Sequence, residues 1–162
     1  MKATTMLRRQ HDRIAQVVGA LEHEKHLRAP LFLELREELT SLLAIEESVF
    51  YPCVEDVAGV RLNELRAQHV RAKSALQSAA SCVLSSSSSD AASFASRFHD
   101  LKAAVERHIA LERSALLPAV ESELGDDALE RLGKQMHEFQ AARSNVARTT
   151  SQHFVVGDQL AS

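Results

Sequence analysis

ALERSALLPAVE, residues 110–121, can be laid on AIEESVFYPCVE, residues 44–55, with identity at six of the twelve positions: Ala, Glu, Ser, Pro, Val and Glu. A phrase repeated at this length marks two copies of one supersecondary unit. In the later copy His108 precedes Glu112 by four residues. Residues i and i+4 lie on the same helix face, about 5–6 Å apart at Cβ. An imidazole nitrogen and a carboxylate oxygen at that spacing can share one metal ion. In the earlier copy the carboxylate is Glu46, and the position matching His108 is Leu42. One helix upstream of each copy stands another histidine, His11 before the first and His69 before the second.

Outward from the repeat, the apolar residues recur at helical spacing. The pattern predicts helices over 4–28, 31–53, 61–84, 91–119 and 126–147. Leu7, His11, Ile14, Val18 and Leu21 form the first stripe, and Leu35, Leu39, Leu42, Glu46, Val49 and Cys53 the second. The third holds Leu62, Leu65, His69, Ala72, Leu76, Ala79 and Val83; the fourth holds Phe94, Phe98, Leu101, Val105, His108, Glu112 and Ala115. Pro30 is expected to close the first helix, Pro52 and Gly59 to bracket the end of the second, and Pro118 to fall near the end of the fourth. Ser85–Ser89 reads as a solvated loop, and residues 149–162, which carry no period, as a flexible tail after a domain of residues 1–148. Four long amphipathic helices with short connections predict an all-α, up-down-up-down four-helix bundle. The fifth helix is expected to pack across its outside or one end.

The composition agrees. Of 162 residues, 45% are hydrophobic and 25% charged, and only 5 are Gly and 3 Pro, too little turn punctuation for an all-β fold. A net charge of −3 gives no electrostatic footprint for nucleic acid. No run of 18 apolar residues calls for a membrane span. Met1–Gln10 lacks a signal-peptide core, and the two cysteines, Cys53 and Cys82, build no disulfide framework. A reducing cytoplasm is the expected compartment.

The stripes are apolar except at His11, Glu46, His69, His108 and Glu112. A lone histidine on such a stripe is more often a hydrogen-bonded core residue than a ligand. Two facing mid-stripe carboxylates are harder to explain, because burying an unpaired carboxylate costs several kcal/mol. Protonation, a nearby cationic side chain or a bound metal must neutralise them. Only Lys73 stands near those stripes. Five ionisable residues in register, on a repeat, favour a metal. His23, His26, His99, His137 and His153 are expected at the surface or in the tail, with His137 able to cover one end of the site. Glu47, one position off the stripe, is expected to face solvent and is the nearest candidate to substitute for the ligand missing at Leu42.

These residues resemble the hemerythrin-like family of cation-binding domains, named for a His-His-Glu pattern. The resemblance runs from about His11 to Leu132. It takes in Gln10-His11-Asp12, Glu46-Glu47 followed by Phe50-Tyr51-Pro52, Gln68-His69, His108 with Glu112 followed by Leu116-Leu117-Pro118, and Leu132-Gly133 with Met136. It implies a non-haem di-iron centre inside the bundle, in proteins that bind or react with O2, NO or peroxide or act in redox and iron sensing and stress responses. Carried over by position, His11 and Glu46 serve a first iron, and His69, His108 and Glu112 a second. Glu46 and Glu112 bridge them. Leu42 departs from the pattern. It leaves either a di-iron centre with one ligand-poor ion, or a single metal at His69, His108 and Glu112. Helical spacing does not separate Fe from Mn or Zn.

The leading expectation is therefore an asymmetric di-iron protein handling O2, NO or peroxide. A non-haem iron oxidase or oxygenase for a small organic substrate is the alternative, and a pocket reaching the metal would favour it. A metal-free interaction bundle, with Leu42 marking the decay of the site, is the third reading. Whether the chain is an enzyme, and in what oligomeric state it works, the spacing leaves open.

Overall fold

The computed structural model describes the backbone of residues 1–83 and 90–157, and the side chains of residues 1–57, 59, 61–83 and 93–146. Among them every regular element is helical, as the periodicity predicts. In chain order these are α1 (Ala3–His23), α2 (Arg28–Ile45), α3 (Tyr51–Cys53), α4 (Glu55–Ala58), α5 (Val60–Val83), α6 (Asp90–Leu111), α7 (Leu117–Glu123) and α8 (Asp126–Gly157). The five-serine run lies outside the described residues.

Helices α1, α2, α5 and α6 make the four-helix bundle. α1 packs on α2 and α5 on α6, and the hairpins meet through α2 with α5 and α1 with α6. The predicted stripes face inward, with Leu7, Ile14, Leu35, Leu39, Leu65 and Leu101 wholly buried, except that Cys53, placed on the second stripe by the sequence, is exposed because the turn before it shifts the helical register. At one end Phe32 and Phe94 meet edge to face at 6.0 Å, Phe98 stacks on Phe94 at 5.6 Å, and Arg28 caps the Phe94 ring. The opposite end carries the ionisable residues.

Two connections depart from the sequence expectation. The first helix ends at His23, and Pro30 lies in the first turn of α2 rather than closing α1. A proline there sacrifices nothing, because first-turn N–H groups have no partner inside the helix. The second departure falls on the repeat. The helix carrying Pro52 ends at Cys53, as the sequence predicts, but that carrying Pro118 runs on to Glu123, and both pass through an unexpected π turn before the proline. α2 continues through a π turn, Glu46–Phe50, into α3, and α6 continues through a π turn, Glu112–Leu116, into α7. Tyr51 N–H bonds to the Glu46 carbonyl, and Leu117 N–H to that of Glu112. The prolines explain this. Pro52 has no N–H for the carbonyl of Ser48, and in a straight helix its ring would clash with it. One extra residue per turn moves that carbonyl aside. Pro118 does the same above Ser114.

Gly59, at φ 51°, takes the left-handed turn from α4 into α5. Helix α8 lies along α1, α2 and the first π turn, with Leu129, Leu132 and Met136 buried. It passes so close to the chain start that a Cβ on Gly133 would lie 2.1 Å from the Met1 carbonyl oxygen. Its backbone runs ten residues past the expected end at 147, to Gly157, and residues 158–162 lie outside the description.

Candidate metal centre

The five ionisable residues predicted to face inward all do. His11, Glu46, His69, His108 and Glu112 are buried together between α1, α2, α5 and α6. One ligand atom from each of His11, Glu46, His108 and Glu112 lies within 4.8 Å of the others, so these four could hold one ion. His69 joins from the far side, its Nε2 3.0 Å from Glu46 Oε2. His108 Nε2 lies 3.2 Å from that same oxygen.

The carboxylates are turned so that their two oxygens face different ways. Glu112 Oε2 lies 3.1 Å from His11 Nε2, while its Oε1 accepts a 2.8 Å hydrogen bond from Tyr51. Glu46 Oε1 faces His11 at 3.7 Å, while Oε2 faces His69 and His108. Both Glu46 oxygens, Glu112 Oε2, His11 Nε2 and both His108 ring nitrogens are buried without an aligned hydrogen-bond partner. Close approach without alignment is costly for polar atoms that merely pair. It suits donors that converge on a shared cation, and imidazole with carboxylate is a donor set for divalent metals.

The electrostatics show the same need. Burial alone would lower the pKa of His11 and His108, but the two carboxylates outweigh it and raise both. Burial pushes Glu46 up, yet the imidazoles of His108, His11 and His69 hold it well below the usual carboxylate range. Glu112 goes the other way, raised by burial and by the charge on Glu46 beyond what His11 and His108 offset. Without a metal the pocket thus recruits protons to balance two carboxylates, the alternative foreseen from the stripes.

Behind the histidines stand residues whose roles the stripes did not show. Glu47 does not enter the pocket. Its Oε1 lies 2.8 Å from His69 Nδ1, and Lys73 holds both its oxygens at 2.7 and 2.8 Å. A carboxylate on the outer ring nitrogen fixes the tautomer that leaves Nε2 free to ligate. The repeat places Arg113 behind His11 at the matching position, but a guanidinium only donates, so unlike Glu47 it does not hold the ring proton on Nδ1. Its Nε approaches His11 Nδ1 at 3.5 Å while Nη2 donates to the Arg8 carbonyl at 2.8 Å and to Asp12 at 2.5 Å. His108 Nδ1 has no such partner.

Tyr51 is the other residue the periodicity passed over. It is wholly buried, and its hydroxyl lies 2.8 Å from Glu112 Oε1 and 3.0 Å from His69 Nε2. Burial, then the charges of Glu46 and Glu112, push its phenol pKa far up, so without a cation it keeps its proton. In a straight helix a residue five beyond Glu46 points about 140° away from it. The π turn stacks it directly one turn on. The available signal was the proline six residues after each glutamate. His23, His26, His99 and His137 are exposed as expected, and the side chain of His153 lies outside the description.

A sequence profile of the hemerythrin HHE cation-binding domain matches residues 2–120, and the chain belongs to that family. No curated protein and no solved structure shows significant similarity to it. Among the described residues no helix is long and apolar enough to cross a membrane.

Proposed function

We propose that the protein is a non-haem di-iron protein that binds or reacts with O2, NO or peroxide. The observation that carries this reading is the opposed orientation of the carboxylate oxygens. Glu46 turns Oε1 toward His11 and Oε2 toward His69 and His108, and Glu112 turns Oε2 toward His11 and Oε1 toward Tyr51, orientations that suit carboxylates shared between two ions. His11 and His108 with the two carboxylates would hold one ion, and His69, beside Glu46 Oε2, would serve a second. This assigns His108 to the ion of His11, whereas the family resemblance paired it with His69. The bound iron would supply redox chemistry and open positions for a small ligand. The chain's own part is to fix the His69 imidazole from outside through Glu47 and to exclude water with wholly buried residues that include Leu39, Leu42, Ile45, Phe50 and Leu116.

The surroundings support diatomic or peroxide chemistry over an organic substrate. Four of the cavities on the described residues, of about 240 to 680 Å³, are lined by none of the five donor residues. A packed apolar shell passes small neutral molecules and keeps out larger ones. The test is anaerobic purification with iron analysis, followed by exposure to O2, NO and peroxide under ultraviolet–visible and Mössbauer spectroscopy. Two irons per chain and a spectral change on exposure are expected. Iron at trace level, or iron indifferent to all three, would contradict the proposal.

A further inference from the structure

We infer that Tyr51 is a metal ligand, supplying on the His69 side the donor that Leu42 does not. The inference rests on the two-ion reading above and adds a residue to it. The pseudo-twofold of the repeat pairs His11 with His69, Glu46 with Glu112 and Leu42 with His108. His11, Glu46, His108 and Glu112 bring four donors to one ion, and His69, although its ring stands 4.7 Å from that of His108, is left on the far side, where the repeat matches it with Leu42. That side is therefore short of one donor, and it is there that the Tyr51 hydroxyl lies.

The spacing around the hydroxyl is that of neighbouring ligands. Donors about 2.1 Å from a six-coordinate ion sit about 3 Å from one another along the edges of the octahedron. Tyr51 oxygen to Glu112 Oε1 is 2.8 Å, Tyr51 oxygen to His69 Nε2 is 3.0 Å, and His69 Nε2 to Glu46 Oε2 is 3.0 Å. Glu112, Tyr51, His69 and Glu46 thus form a chain of donors in which each step has the length of an octahedral edge, with the Tyr51 hydroxyl between Glu112 and His69. The repeat shows that the tyrosine is a substitution and not a packing default. Its counterpart is Leu117, equally buried immediately after the equivalent π turn. Each half carries leucine where the other carries a donor: Leu42 against His108, and Leu117 against Tyr51. A cation reverses the effect that burial and carboxylates have on the phenol, because it favours the oxyanion. The proton leaves to solvent as the metal enters.

Tyr51 is the chain's single tyrosine, which makes the test direct. A phenolate bound to ferric iron gives a charge-transfer band in the visible, and here it has one source. The whole protein is loaded with iron, oxidised, and its iron counted. The expected result is a phenolate band whose resonance-enhanced ring vibrations shift when the protein is grown on ring-deuterated tyrosine. In Tyr51→Phe the band is lost, while at least one iron stays bound at His11 and His108. The isotope shift on the native chain decides the matter even if that variant folds poorly. Iron bound without tyrosine-derived vibrations overturns the assignment of Tyr51 and leaves the di-iron reading standing. No iron bound overturns both.

Discussion

The two halves of the bundle share a backbone and differ in the side chains that backbone presents. Each half offers an inward histidine from its first helix, an inward glutamate that opens a π turn in its second, and a proline six residues later. Around that common frame three positions diverge. The first half has Leu42, Glu47 and Tyr51; the second has His108, Arg113 and Leu117. The outer partner of one histidine is thus an acid and that of the other a base, and nitrogen and phenol donors are exchanged between halves. Symmetric folding with asymmetric chemistry makes two inequivalent positions from one motif. On the two-ion proposal the shared backbone would present both carboxylates to both ions, and the divergent side chains would set how basic and how open each position is.

The largest effect is expected from His108→Leu, which gives both halves the same leucine. The apolar shell tolerates it, so the helical circular dichroism should persist. Metal content should fall, and so should the stabilisation that added metal confers, which is about 2.7 kcal/mol at a hundredfold excess over Kd. An unchanged melting shift on adding metal would break the comparison.

Leu42→His is the converse. Without metal it buries an unpartnered imidazole, at a cost of about 1–3 kcal/mol by thermal or urea unfolding. With metal that loss should be recovered and iron retention during dialysis should rise. If the metal-loaded variant stays as destabilised as the metal-free one, position 42 does not face an ion.

Glu47→Gln keeps the shape behind His69 and removes the charge. Metal affinity should fall about 10–100-fold in a competition titration, with no change in the number of ions at saturation. An unaltered affinity would mean that the acid behind His69 is an ordinary surface pair with Lys73.

The pH response separates metal-free from metal-loaded protein. His11 and His108 have native pKa values raised above 6.5, so their contribution to metal-free stability is complete below about 6.5 and lost as pH rises through the raised values. Glu46, lowered below 4.5, contributes above that value and loses its contribution only in stronger acid. Metal must displace the imidazole protons, so its affinity falls as pH falls. Melting curves should therefore move in opposite directions between about pH 6.5 and 8: down with rising pH for chelated protein, up for loaded protein. Parallel curves would contradict the shared site. The smallest effect is expected from Arg113→Gln, whose approach to His11 is long and whose guanidinium is anchored mainly on Arg8 and Asp12. A loss of metal affinity as large as that of Glu47→Gln would show that the two outer partners act equally.

Much of this was legible in the sequence because ionisable residues on an apolar stripe are conspicuous. His11, Glu46, His69, His108 and Glu112 break otherwise aliphatic rows, and the helical period that displays them is the period the backbone has through α1, α2, α5 and α6. Tyr51 was not legible by the same rule, because the period changes where it sits. A 3.6-residue repeat carried past Glu46 turns Tyr51 away from the site, and only the i→i+5 bond returns it. Glu47 was misread for a related reason. It is next to a donor in the chain, but the pocket wall is His69, and Glu47 meets the outer face of that ring. Pro30 and Pro118 show the limit of reading proline as punctuation: one lies in the first turn of a helix and the other in a helix that runs on to Glu123, whereas Pro52 does stand one residue before a helix end.

The most direct test of the account is the identity and number of metal ions per chain, measured on protein never exposed to a chelator. The account predicts two irons per native chain and fewer in His108→Leu. A native chain carrying no more than trace metal, with a melting temperature indifferent to added iron, would contradict it.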